Sequence, residues 1–355
     1  MLYVNRHLLY RAHYVLAWLV HFYVHSQVPT EKAAPMRIPK SLAVPLVQVS
    51  RRLGIAPVLT FADTVLWNWE SGDSNQTITL ETIESMRNIN LFSGTDDERS
   101  FYIASAKTEL RGVEMLRIFE EYNNLPNTSD LTSISKISRD LVRLAKIVDD
   151  ISDILQSVRI NCEPQVFHYS IRPWFVGSDG DGPDRPGWIY EGIPESEQLD
   201  LSGPSAGQSS VIHALDIFLD IDHKQRQKRS PAPSAINKKS DRGFMERMRR
   251  YMPGKHREYL SYLASCPRNV RDLAQEIPAL RDPYDAVVSS LKRLRDLHIR
   301  IACLYVVSMS RKCPMMRRLE EGSSIERARG TGGNEVTILL KTGRDNTKRA
   351  MFKHD

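Results

Sequence analysis

The chain has 355 residues, 41% hydrophobic and 26% charged, proportions that supply a folded core and exclude a wholly disordered chain. That length suits one large domain with a smaller companion. The 49 basic against 43 acidic side chains leave a net charge of +6. The excess sits in short clusters at 223–229, 238–239 and 247–250 beside Ser, Pro and Asn, a solvated surface rather than a nucleic-acid footprint.

In chain order, residues 8–24 are apolar or aromatic on almost every face, as in a helix packed on several sides. Arg11, His13 and His21 interrupt the run, and no small-residue cleavage site follows, so it reads as neither a membrane span nor a signal peptide. Residues 29–45, broken by four prolines, read as an irregular connection. Residues 56–69 begin with Pro57 at a helix first turn and continue largely apolar. After a polar stretch at 70–90, a helix over 98–122 places Ile103, Ala106, Leu110, Val113 and Leu116 on its buried face. A longer helix over 131–160 does the same with Ile134, Ile137, Leu141, Leu144, Val148, Ile151 and Leu155.

Proline and glycine end the helical signal over 162–193. It resumes at 209–220, 242–252, 257–265 and 283–309. No stretch alternates as a sustained strand, so the fold class is all-α. The cysteines, Cys162, Cys266, Cys303 and Cys313, form no C-x-x-C pair or zinc spacing, which fits a reducing compartment.

Four features carry candidate chemistry. His298 shares the 283–309 stripe with Val287, Leu291, Leu294, Ile301 and Tyr305, and a buried imidazole needs a partner for its ring nitrogens. It is either a core histidine bonded to a carbonyl or an axial haem ligand on a rigid helix, with Arg295 one turn earlier facing a propionate. In 167–176 (FHYSIRPWFV), Pro173 pushes Arg172 away from helical geometry. An arginine amid aromatics either stacks for stability or offers its fork to a carboxylate. The loop 203–210 (GPSAGQSS) is a plain helix cap or lets backbone approach a flat ligand. The stretch around 330–333 (GTGG) is a surface loop or a mobile lid. Hydrolase, zincin, Walker and dinucleotide motifs are absent.

Taken together and in order, FADTVLWNW, SFYIASAKTE, FHYSIRPWF, YEG, GPSAGQSS, RRYMPGKHREYL, LRDLHIRI and GTGGNE resemble the indoleamine 2,3-dioxygenase family from about residue 42 to 347. The resemblance implies an all-α fold with a small helical domain, 1–90, and a large catalytic domain, 91–355, that binds haem b. It implies His298 as proximal iron ligand, Arg295 on the propionate side, Asp216 orienting the haem periphery, and Ala206 and Gly207 near the haem edge. On the substrate side it implies Phe101, Tyr102 and Ser105 from one helix, Phe167 packing on the indole, Phe175 beside it, and Arg172 binding the carboxylate. Phe61, Thr64 and Val65 would line the deeper pocket, and Thr331 would order the ammonium and carboxylate end.

The implied reaction opens the indole ring of L-tryptophan with O2 to give N-formylkynurenine, in the kynurenine route toward NAD. It needs an external reductant for ferric haem. Ser105 is a poor base at neutral pH, so no general base is assigned. The alternative is an O2-binding haem protein of the same fold, against which Arg172 speaks, since storing O2 needs no carboxylate clamp. The expected setting is the cytosol and the expected state a monomer, with no nucleic-acid or membrane partner. Relative to the family pattern the chain begins inside the small domain, which predicts exposed faces on 8–24 and weak haem retention. Tyr102 and Phe175 depart from the common residues at their places, so pocket shape is expected to differ.

Overall fold

The computed structural model describes residues 5–27, 34–72, 76–178, 187–194, 201–221, 243–312, 331 and 336–352. Helix α1 (Arg6–Ser26) opens with Asn5, whose side chain accepts from the His7 N–H, the usual remedy for unpaired amides at a helix start. It buries Leu9, His13, Tyr14, Ala17, Trp18, Val20, His21 and Val24 and leaves Leu8, Val15 and Leu19 on the outside. Strand β1 (Met36–Ile38) and helix α2 (Lys40–Leu53) follow. The irregular connection expected to run to residue 45 therefore stops at Pro39, and Pro45 lies inside α2. One lost backbone hydrogen bond there is offset by the buried face of Ala43, Leu46, Val47, Val49 and Leu53. Gly54 closes the helix at φ 64°, a left-handed conformation suited to glycine.

The helix expected from Pro57 begins later and is shorter, a single π turn at Ala62–Leu66. Strands β2 (Trp69–Glu70) and β3 (Arg87–Asn88) pair antiparallel, while β1 pairs in parallel with β4 (Trp188–Tyr190). These ribbons are too short to change the all-α class.

Helix α3 (Asp96–Asn123) is capped by the Thr95 side chain, and α4 (Leu131–Asn161) by Asp130. The buried face of α4 is the predicted one, carried by Ile137, Leu141, Leu144, Val148 and Ile151. That of α3 is rotated by about one residue: Tyr102, Glu109, Gly112, Met115 and Phe119 are inside, and Val113 is 43% exposed. Gly112 explains the rotation, because a Cβ there would meet the Val211 side chain at 2.7 Å, so α3 packs through a residue with no hydrophobic signal.

Residues 164–175 are helical as well, contrary to the loop expected from their prolines: α5 (Pro164–Val166), a π turn (Phe167–Ile171) and a 3-10 turn (Arg172–Phe175) run on continuously. Arg172 keeps helical angles, φ −56° and ψ −37°, despite the steric pressure of Pro173. Helices α6 (Ser210–Phe218), α7 (Phe244–Arg249), α8 (Gly254–Ser265) and α9 (Val270–Glu276) lead to α10 (Arg281–Ala302). A π turn (Cys303–Val307), α11 (Ser308–Lys312) and α12 (Val336–Arg349) complete the described chain. The sequence reading missed α2, α9 and α12. Most of the expected lid around GTGG lies outside the described residues.

The pairs α4 with α10 and α3 with α4 make the most extensive helix contacts. Their core joins Leu144, Val148, Leu215, Tyr284, Val287 and Leu291. A second core collects α1 and α2 with Tyr190, Phe244 and Tyr251, and a third gathers Phe61, Val65, Tyr102, Phe167, Phe175, Leu297 and Tyr305. Among the described residues no helix is long and apolar enough to cross a membrane.

Candidate functional site

A cavity of about 2080 Å³ lies where the first and third cores meet, larger than the roughly 300–1,000 Å³ of ordinary small-molecule sites. Helix α10 supplies Leu291, Leu294, Arg295, His298 and Ile301 to its wall. His298 is half-buried, lines the cavity and makes no hydrogen bond to a described residue. Burial first, and the charge of Arg295 second, lower its pKa, so the imidazole is neutral and its lone pair available to a metal ion. No cluster of three or more metal-ligating side chains occurs among the described residues. A single axial imidazole needs none.

Around the same space stand Phe61, Thr64 and Val65 from the first π turn, Phe101 and Ser105 from α3, and Phe167, Arg172 and Phe175 from 167–175. Ala206, Gly207, Asp216 and Thr331 also line it. Phe101 lies with its ring centroid 4.9 Å from Phe167 and 6.3 Å from Phe175, and Phe167 meets Tyr305 edge-on at 5.6 Å. These rings make an apolar cage of the kind that holds a flat aromatic ligand. Burial pulls the Arg172 pKa below the ordinary guanidinium value. A desolvated guanidinium attracts a carboxylate more strongly than one in water.

One expectation needs correction. Tyr102 does not line the cavity: it is 1% exposed, sits behind Phe101 and Phe175, and donates its hydroxyl to Glu98 Oε1 at 3.0 Å. Its extra oxygen is consumed inside the protein. Arg295, expected on the propionate side, lines the cavity and gives Nη2 to both oxygens of Asp216 at 2.6 and 2.7 Å. Its Nη1 goes to the Gly343 carbonyl at 3.2 Å and to Thr347 Oγ1, so α12, which the sequence reading missed, occupies that guanidinium.

The smaller contacts show what each side chain is free to do. Ser105 Oγ donates to the Phe101 carbonyl at 2.9 Å, so its proton is turned into its own helix. Thr331 Oγ1 donates to the Pro204 carbonyl at 2.7 Å. Gly207 is tied down by the Ser205 hydroxyl, which accepts its N–H at 3.2 Å, and by His213, whose Nε2 meets the Gly207 carbonyl at 2.8 Å. A Cβ on Gly207 would strike the Phe244 ring at 2.5 Å, so the absence of a side chain lets Phe244 pack directly on this backbone at the cavity wall.

Several residues at this site escaped sequence reading. Gln208 accepts the Phe61 N–H at 2.8 Å and donates to the Gly203 carbonyl at 2.8 Å, joining the π turn to the glycine-rich loop. Glu109 lines the cavity one turn after Ser105 and accepts the Ser209 hydroxyl. Burial raises its pKa to about 7, against which the hydrogen bonds from Ser209 and the Val211 backbone work. A carboxylate facing the apolar side of a helix was the available signal.

The family model of indoleamine 2,3-dioxygenase matches residues 2–350. The chain belongs to that family. It is 30% identical over 317 residues to indoleamine 2,3-dioxygenase 1 of Rattus norvegicus, covering 89% of this chain and 73% of the relative. Indoleamine 2,3-dioxygenase 2 of Homo sapiens is 31% identical over 349 residues, 96% and 79% of the two chains. Indoleamine 2,3-dioxygenase acdA of Aspergillus candidus is 34% identical over 321 residues, 88% and 74%. The indoleamine 2,3-dioxygenase family is haem-dependent, and the cavity suits such a cofactor. A neutral, half-buried imidazole sits on α10, and apolar Leu294 and Ile301 flank it.

Proposed function

We propose that this chain is a haem-dependent dioxygenase that cleaves the indole C2–C3 bond of L-tryptophan with O2 to give N-formylkynurenine. The observation that carries the reading is the sharing of one cavity by the neutral His298 imidazole, the phenylalanine cage and the desolvated Arg172. His298 would hold the haem iron from the last turn of α10, which runs on directly into the π turn Cys303–Val307 and so keeps the backbone under the ring fixed. When bound, the haem supplies the O2 activation that no amino-acid side chain provides.

The chain's own residues bind, orient and dry the site. Arg172 would pair with the substrate carboxylate, a charge-assisted contact strengthened by its desolvation. Phe101 and Phe167 would pack on the indole and exclude water, while Phe61, Val65 and Phe175 bound the pocket. Thr331, beside Pro204, would meet the amino-acid end of the substrate. Asp216 would act through Arg295, fixing where α10 presents His298. Ser105 needs no proton-transfer role, since its hydroxyl proton is already committed. A cytosolic, monomeric enzyme with an external reductant for ferric haem fits this reading, as does a place on the route from tryptophan toward NAD.

The test is near-ultraviolet detection of N-formylkynurenine from L-tryptophan in air with haem-loaded ferrous protein, beside Arg172→Ala. Loss of a charged hydrogen bond predicts a fall in kcat/KM of roughly a hundredfold in the variant. A stable oxygenated haem spectrum with no product from the wild type would overturn the reading in favour of an O2 carrier.

A further inference from the structure

His13 lies on α1, on a different element from every side chain of the cavity, and it is wholly buried. Both of its ring nitrogens face oxygen acceptors: Nδ1 lies 2.9 Å from Asp63 Oδ1, and Nε2 lies 3.2 Å from the Ala56 carbonyl. A neutral imidazole would turn a lone pair onto one of these oxygens. Only the doubly protonated ring donates to both. Burial opposes that charge, but the Asp63 carboxylate and the two hydrogen bonds outweigh it and hold the His13 pKa above its ordinary value. The ring also lies near uncharged Trp67, with centroids 6.2 Å apart and planes nearly perpendicular.

The acceptors matter because of what they belong to. Ala56 and Asp63 bracket the segment that leads into the π turn Ala62–Leu66, and that turn presents Thr64 and Val65 to the cavity directly behind Phe61. Asp63 also accepts the N–H and hydroxyl of Thr60 on its second oxygen, both at 2.8 Å. A five-residue π turn has poor intrinsic hydrogen bonding and needs outside support. His13 grips the segment at both ends from the α1 side.

We propose that His13, as a buried imidazolium stapling Ala56 to Asp63, is the positioning residue that sets the Phe61–Val65 wall of the substrate cavity. The inference rests on the reading of that cavity as a tryptophan site only in its consequence for catalysis; its structural part stands alone. Removing the imidazolium leaves the Asp63 carboxylate buried with only the Thr60 donors, and the segment held to α1 only through Trp18, whose Nε1 donates to the Asp63 carbonyl at 3.4 Å. The wall loosens, and the substrate is held less well, while the groups on α10 are untouched.

Haem-loaded wild type, His13→Gln and His13→Leu are compared by amide hydrogen exchange and by steady-state kinetics with L-tryptophan. In His13→Leu the amides of 58–66 exchange about a hundredfold faster, those of α4 and α10 keep their wild-type rates, and KM rises about tenfold with kcat nearly kept. His13→Gln, which still donates once to Asp63 but carries no charge, falls between the two and provides the measurement if His13→Leu does not fold. Unchanged protection and KM in the folded variants would overturn the proposal. So would faster exchange spread evenly over α4 and α10, the mark of a merely stabilising residue. Loosening confined to 58–66 in a protein that, even as wild type, forms no product would support the staple and overturn the dioxygenase reading instead.

Discussion

Glu109→Gln tests the electrostatics of the cavity wall most directly. In the folded protein the Glu109 pKa rises from 4.5 to about 7 because burial disfavours the carboxylate. The native state therefore holds a proton that the unfolded chain has released, and stability falls as pH climbs from 4.5 to about 7, then levels off. At ~1.4 kcal/mol per pH unit, this span amounts to about 3 kcal/mol. Gln keeps an oxygen to accept the Ser209 hydroxyl but does not titrate. Urea unfolding of both proteins, in the same haem state, should show the variant gaining about 3 kcal/mol on the wild type between pH 4.5 and 7.5. A gap constant within about 1 kcal/mol across that range would mean that Glu109 ionises as in water and would refute the reasoning.

Other substitutions separate the cofactor, the fold and the substrate wall. His298→Ala should fold, since the ring makes no hydrogen bond to a described residue, but should fail to develop a Soret band when haem is added. Arg295→Leu removes both guanidinium contacts from the Asp216 carboxylate, whose side chain is only 4% exposed, so denaturant unfolding should show a loss of about 3–5 kcal/mol; a smaller cost would mean that other donors or water hold Asp216. A Cβ on Gly203 would lie 1.8 Å from the Phe175 carbonyl oxygen, so Gly203→Ala must shift the backbone beside the cage. The expected cost is about 1–3 kcal/mol, accompanied by a higher KM for tryptophan, and an unchanged KM would show that Phe175 does not bound the substrate.

Legibility in the sequence followed how each residue is buried. Helix α4 could be read face by face because branched and unbranched aliphatics fill its inner positions. Helix α3 could not, because its inner face carries Glu98, Glu109 and Gly112, residues that score as polar or small. Local rules failed where tertiary contacts overrode them. Pro45 stays within α2 because the face around it is buried. Arg172 stays helical before Pro173 because Ile171 and Phe175 on either side are locked in the third core. His298 was legible for the opposite reason: a polar side chain on an otherwise apolar stripe demands an explanation even without neighbours.

The least legible contacts are also the ones that make the cavity a single mechanical unit. Gln208 bonds Phe61 across 147 residues, Ser209 bonds Glu109 across 100, and His13 bonds Asp63 across 50. No local periodicity encodes such pairings, although each involves a buried polar side chain whose burial requires a partner. Gln208 ties the substrate wall at Phe61 to Gly203, and Gly203 lies backbone to backbone against Phe175 on the aromatic cage. The loop carrying Ala206 and Gly207 is part of the same strap. A displacement of that loop therefore reaches Phe61 and Phe175 together, so the surface suited to the cofactor edge and the surface suited to the indole cannot be adjusted independently. Pocket variants that change substrate affinity alone should then come from side chains outside this strap, such as Thr64, which bonds only carbonyls of its own turn.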